Sequence, residues 1–170
     1  MSAVVAAMVA AVAGVLGTLL APLISHRVTV RQRTFDHDAD ERLRRHQEKR
    51  AAYIALNRAS RQLHTLLKDA LHRLRDGVFT DQERTQVEEA RLDYRDRYAE
   101  AQLTVPETVL AASREVNAIL AGVDAVVKRI DRGGAGPSET PDQALLDLKA
   151  AEPRLSAMSH LMRRDLGVAD

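Results

Sequence analysis

The hydrophobic and polar positions divide this chain into one uniformly apolar run followed by four amphipathic stretches. From Ala3 to Ile24 there are 22 residues without a charge, and Arg27, Arg31 and Arg33 follow closely. A helix of that length, rising about 1.5 Å per residue, covers the hydrocarbon core of a bilayer. The run holds seven Ala and five Val against four Leu, so insertion is favourable but weakly driven. Pro22 removes a helical amide and predicts a bend near the exit. No Lys or Arg precedes the run, and it is too long for the apolar region of a secretory leader. Residues 1–26 are therefore expected to be an uncleaved transmembrane anchor.

The next stretch, Asp36 to Arg50, places acids before bases. That order suits a helix dipole and the i,i+4 pairs Asp38–Arg42, Asp40–Arg44 and Glu41–Arg45. Its few apolar residues, Phe35, Ala39 and Leu43, fall four apart, which predicts a solvated helix with a narrow stripe: a charged juxtamembrane stalk over 27–50. From Ala52 the stripe widens through Leu56, Ala59, Leu63, Leu66 and Ala70, and it stops at Asp76-Gly77.

Thr80-Asp81-Gln82-Glu83 has the form of a capping box and opens a second helix with Val87, Ala90, Tyr94, Tyr98 and Ala101 inward. Thr104-Val105-Pro106-Glu107 repeats the signal, with Thr104 expected as N-cap of a third helix. That helix carries the broadest apolar stripe after the anchor, with Val116, Ile119, Val123 and Val126 expected at the buried centre. Gly133 to Ser138 is a clear loop, and Thr140-Pro141-Asp142-Gln143 caps a fourth helix in which Pro153 predicts a kink or break. The fold class expected is all-α: an N-terminal transmembrane helix, a long basic stalk helix, and an antiparallel cytoplasmic helical bundle over 51–166. Its seams resemble those of a coiled coil, and a loose tail over 167–170 follows.

Composition narrows the chemistry. The chain has no Cys, which excludes disulfides, thiol catalysis and Cys-ligated metal sites. With no Trp, two Phe and three Tyr, the core must be a thin one of Leu, Val, Ile and Ala, as packed helices form. The net charge of +1 hides a division: residues 27–75 carry 13 Lys and Arg against six Asp and Glu, and residues 76–170 carry 12 against 18. All basic residues near the anchor lie on its C-terminal side, so the positive-inside rule places the N-terminus outside and the C-terminus in the cytoplasm. Arg27, Arg31 and Arg33 are expected to contact anionic headgroups of the lipid bilayer. Ala6, Ala10, Gly14 and Gly17 give small-residue stripes through which two membrane helices could pack, making a homo-oligomer an expectation.

Candidate sites are sparse. Asp36, His37, Asp38, Asp40 and Glu41 are the densest ligand-type cluster, but a solvated charged face accounts for them better than a metal site. His64 and His72 share a face with Lys68 between them, which would repel a cation. The basic run Arg42 to Arg50 has no groove-reading motif or stacking aromatics beside it, so nucleic acid is not expected as a partner. No nucleophile elbow, phosphate loop or catalytic carboxylate pair is present, and neither an enzyme nor a cofactor is expected.

The uncharged run followed by Glu48-Lys49-Arg50-Ala51-Ala52-Tyr53 in an Arg-rich helix resembles small single-pass helical membrane proteins of high-GC Gram-positive bacteria. The resemblance implies a bacterial cell-membrane location and transfers no active site. The reading as a whole is a membrane-tethered, non-enzymatic scaffold or adaptor that presents a helical surface to a cytoplasmic protein partner. The alternative is a membrane-anchored sensor or regulator whose bundle responds to a small ligand or to the state of the membrane.

Overall fold

The computed structural model describes residues 40–168. The expected anchor, with Ala6, Ala10, Gly14 and Gly17, and the three arginines Arg27, Arg31 and Arg33 lie outside the described residues. Among the described residues there is no strand, and no helix is long and apolar enough to cross a membrane. Contacts divide the chain into units 1–45 and 46–170. Of the first, residues 40–45 are described; they are helical, and Glu41 pairs with Arg45 at 2.7 Å.

The second unit is a helical bundle. Helix α1 runs over 40–75 and ends where Gly77 adopts φ +70°, a conformation that costs a side-chain-bearing residue steric strain. The turn lets Gly77 N–H bond the Leu74 carbonyl (3.2 Å) and Val78 N–H bond the Arg73 carbonyl (3.0 Å), which satisfies the last carbonyls of the helix. Helix α2, Asp81–Thr104, opens on the full capping box: Thr80 Oγ1 accepts from Glu83 N–H (3.3 Å), and Thr80 N–H donates to Glu83 Oε2 (2.8 Å).

Helix α3, Glu107–Asp131, corrects the expectation for Thr104. Thr104 is the last residue of α2, and its hydroxyl donates back to the Glu100 carbonyl (3.2 Å). The reason is Pro106, which forces Val105 into an extended conformation (φ −100°, ψ 150°) and itself becomes the N-cap. A threonine two residues earlier cannot reach the α3 amides.

The fourth position is shared by α4, Pro141–Lys149, and α5, Ala151–Asp165. The expected break occurs just ahead of Pro153, the third residue of α5. Proline has no amide for the carbonyl four residues back, here Lys149, and its ring collides with that carbonyl in a continuous helix. The Thr140 side chain accepts from Gln143 N–H (3.2 Å), but the Gln143 side chain turns to Asp147, so this box is half formed.

Ion pairs between helices fix the topology. Arg73 meets Glu83 across the α1–α2 turn, Arg84 meets Asp131 between α2 and α3, and Arg154 meets Glu115 between α3 and α5. Arg75 approaches Asp142 and Lys49 meets Asp165, which returns α4 and α5 alongside α1 in the opposite direction. The result is an up-down-up-down arrangement of four helical positions.

The core is the one expected, with shifts in detail. On α1 the buried line is Tyr53, Leu56, Ala59, Ser60, Leu63, Leu67 and Leu71, with Ala52 only half-buried beside Tyr53. On α3 it is Val109, Val116, Leu120, Val123 and Val127. Ile119 and Val126, expected at the centre, lie to one side of that line and are half-buried. Ser113 sits in the core at no cost in hydrogen bonding, since its hydroxyl donates to the Val109 carbonyl at 2.8 Å and touches Met158 Sδ at 3.4 Å.

Val123 is 3 % exposed, so Val123→Asp should lower stability by several kcal/mol, against a total of about 5–15 kcal/mol for a small domain. Glu115→Ala removes only the exposed pair with Arg154 and should cost no more than about 0.5 kcal/mol. Thermal melts of the two variants check this; parental melting of Val123→Asp would contradict the bundle packing.

Candidate functional site

Among the grooves between helices, two hold a buried polar atom without a hydrogen-bond partner. The first, about 360 Å³, lies between α2 and α3, with Val87 and Val127 as its apolar part. Its charged residues form a ladder. At one end Arg84 forks onto Asp131 with bonds of 2.9–3.0 Å, reaches Asp81, and lies 5.2 Å from the centre of the Phe79 ring. The hydrogen bonds to Asp131 hold the Arg84 guanidinium above its usual range, so it stays charged.

Further along, Arg91 binds Glu88, while Lys128 lies 2.8 Å from Asp124 and 3.6 Å from Glu88. The hydrogen bond from Arg91 is the main cause that keeps the Glu88 carboxyl below its usual range. Asp124 is the unusual member. It is 8 % exposed, its Oδ2 accepts from Lys128, and its Oδ1 is buried with no hydrogen-bond partner. A buried acceptor left unpaired costs about 1–3 kcal/mol. Asp124 did not stand out in the sequence because it sits between Val123 and Val127 on an otherwise apolar stripe. A carboxylate interrupting that stripe, one helical turn before Lys128, was the available signal.

The second groove, about 330 Å³, lies between α1 and the α4–α5 junction, and it brings together the expected trio His64, Lys68 and His72 with Leu145, Leu148 and Glu152. Burial pushes the His64 imidazole below its usual range, against the opposing pull of Glu152 and the Leu148 carbonyl. Its Nε2 is buried without a partner, so a proton there would find no acceptor. Among the described residues no group of three or more His, Cys, Asp or Glu could hold a metal ion.

A smaller polar junction closes α1 against α5. Tyr53 Oη donates to Asp165 Oδ2 at 2.7 Å, and Lys49 Nζ lies 3.0 Å from the same oxygen. Burial acts to raise the Asp165 carboxyl, but Tyr53 and Lys49 outweigh it and hold the group below its usual range. Two residues of the Glu48-to-Tyr53 phrase are thus structural fasteners. Arg42, Arg44, Arg45 and Arg50 are exposed on α1, and His160 is exposed on α5. Of the acidic cluster, Asp40 and Glu41 are described; Asp36, His37 and Asp38 fall outside, as does His26.

Because the folded pKa of His64 is depressed, its contribution to stability is complete above the ordinary value of 6.5 and is lost as pH falls below it. The melting temperature should therefore drop between pH 7 and pH 5, and His64→Phe should flatten that part of the profile. Equal slopes for parent and variant would assign the loss to other groups.

Compared with known proteins, the chain matches no family model, no curated protein and no solved structure.

Proposed function

We propose that this chain is a membrane-tethered, non-enzymatic interaction module, a scaffold or adaptor that holds a helical bundle at the cytoplasmic face of a bacterial cell membrane. One observation carries the reading: the uncharged run Ala3–Ile24 is followed by arginines on its C-terminal side alone. The bundle supports it. Many of its charges are paired within or across helices, and exposed apolar side chains such as Leu92, Leu103 and Leu146 leave surface for a protein partner. The membrane side is served by anionic headgroups at Arg27, Arg31 and Arg33. The protein should resist alkaline carbonate extraction from membranes, and a C-terminal alkaline phosphatase fusion should be inactive. Release by carbonate, or an active fusion, would overturn the reading.

A second reading, a sensor whose bundle responds to a small ligand, is favoured by Asp124. A carboxylate oxygen without a partner beside an apolar wall suits an ammonium ligand with a short hydrocarbon arm. If Asp124 is kept for binding, Asp124→Leu should melt no lower than the parent, since Lys128 and Arg91 both retain Glu88. In that case n-butylammonium should raise the melting temperature of the parent and leave the variant unchanged. A destabilised variant and no response to the amine would make Asp124 a purely structural member of the ladder.

A further inference from the structure

We propose that the outward face of α1, centred on Ile54, docks on the anionic headgroups of a lipid bilayer. The proposal rests on the membrane-tethered reading above and names the surface of the bundle that meets the membrane. Between Glu48 and Asp69 the chain has no Asp or Glu, but it has Lys49, Arg50, Arg58, Arg61 and Lys68. Lys49 turns aside to Asp165. Arg50, Ile54, Arg58 and Arg61 follow at spacings of four, four and three, which puts them on one stripe of the helix. All four are exposed, while Leu56, Leu63 and Leu67 on the other side of α1 are buried.

Pairing sets this stripe apart. Elsewhere in the bundle Arg73, Arg84, Arg97, Arg114, Arg129 and Arg154 each meet a carboxylate. Arg95 on α2, Arg132 at the C-cap of α3 and Arg164 on α5 have no carboxylate partner among the described residues, but they lie on different elements and form no common stripe. On the α1 face Arg50 and Arg58 have no carboxylate partner among the described residues, and Arg61 donates only to Asn57 Oδ1 at 3.3 Å. Three unneutralised guanidinium groups therefore surround one apolar side chain that is 57 % exposed.

That arrangement matches a headgroup layer better than other polyanions. Arginine stems lie along an interface with their charges on phosphates, and an isoleucine between them reaches the acyl boundary. A nucleic acid would give Ile54 nothing to bury against, and no aromatic side chain on this stripe could stack on a base. Each cation at an anionic surface is worth about fivefold in binding, so the three act together where one alone would be marginal.

The chain has no Cys, so single-cysteine variants of the full chain can be labelled at one point. A fluorophore sensitive to its surroundings would be placed at Ile54→Cys and, as a control, at exposed Ala121→Cys on α3, which lies diagonally across the bundle. Both are reconstituted into phosphatidylcholine vesicles with and without phosphatidylglycerol. The label at 54 should shift to the blue with the anionic lipid and return in high salt, while the label at 121 stays constant. In the Arg50→Gln/Arg58→Gln/Arg61→Gln background the response should weaken about fivefold for each charge removed.

Vesicle flotation separates the two readings. Protein that floats with both vesicle types but shows no response at 54 would overturn the docking face and leave the anchor standing. Binding only to anionic vesicles, reversed by salt and reported at 54, would support the face and overturn the anchor. Equal responses at 54 and 121, an equal response at 54 to an RNA oligonucleotide, or no flotation at all would overturn the proposal.

Discussion

The bundle depends on the seam of α3. Val109, Val116, Leu120, Val123 and Val127 are buried along nearly its whole length, and α3 packs against α2 on one side and α4 and α5 on the other. With few aromatics in the chain, no single large side chain can anchor the core, so its stability is spread over many small aliphatic contacts. Helix α3 thus links α2 on one side of the bundle to α4 and α5 on the other. Leu120 and Val116 are fully buried, and so are Leu56, Leu63 and Leu67 from α1. A helical bundle built this way tolerates small adjustments of one side chain but not a charge in the seam.

Around that apolar interior, charges act as fasteners between helices. Arg84–Asp131, Lys128–Glu88 and Arg154–Glu115 tie α3 to its neighbours, and Lys49 and Tyr53 meet on Asp165 to close α1 against α5. Exposed pairs of this kind contribute little energy each, about 0–1 kcal/mol. Their value lies in register, because an antiparallel bundle of Leu, Val and Ala seams could otherwise slide by a turn. The loop between α3 and α4 uses the same device: Arg129 and Gly136 N–H both bind Glu139, and the Arg129 bond chiefly holds that carboxyl at about 2. Asp124 and His64 depart from the pattern, each burying a polar atom with no partner, and they mark the two grooves where binding or a pH response is best sought.

The proposed function joins two kinds of observation. The uncharged run and its arginine flank speak to location, and the bundle speaks to what is presented there. Many arginines of the bundle meet a carboxylate, whereas Arg50, Arg58 and Arg61 follow one another along one stripe of α1 with no carboxylate partner among the described residues, which suggests which side faces a charged environment. That leaves the other helices free to meet a protein partner or a small ligand.

How much of this was legible in the sequence follows from the range of the forces involved. Local signals were read correctly where they act within a turn or two: the Thr80 capping box, the Gly77 stop, the loop at 133–138 and the break ahead of Pro153 all depend on neighbouring backbone. Period also gave the inward face of α2 almost residue by residue, with Val87, Ala90, Tyr94 and Ala101 buried and Tyr98 half-buried, because a helix that packs on one side must repeat at 3.6. Thr104 was misread because two local signals competed, and the backbone restriction imposed by Pro106 outweighed a capping hydroxyl. The shift from Ile119 and Val126 to Leu120 and Val127 was decided only when α3 met its neighbours, since the angle at which helices pack chooses among adjacent apolar positions. Tyr53 meets Asp165 across 112 residues of chain, and the unpaired oxygen of Asp124 depends on which cations α2 turns toward it. Sequence alone determined the helices, their order and the apolar run. Tertiary structure decided which charges were neutralised and which were left facing outward, because pairing is a property of distances between helices that no spacing along one helix contains.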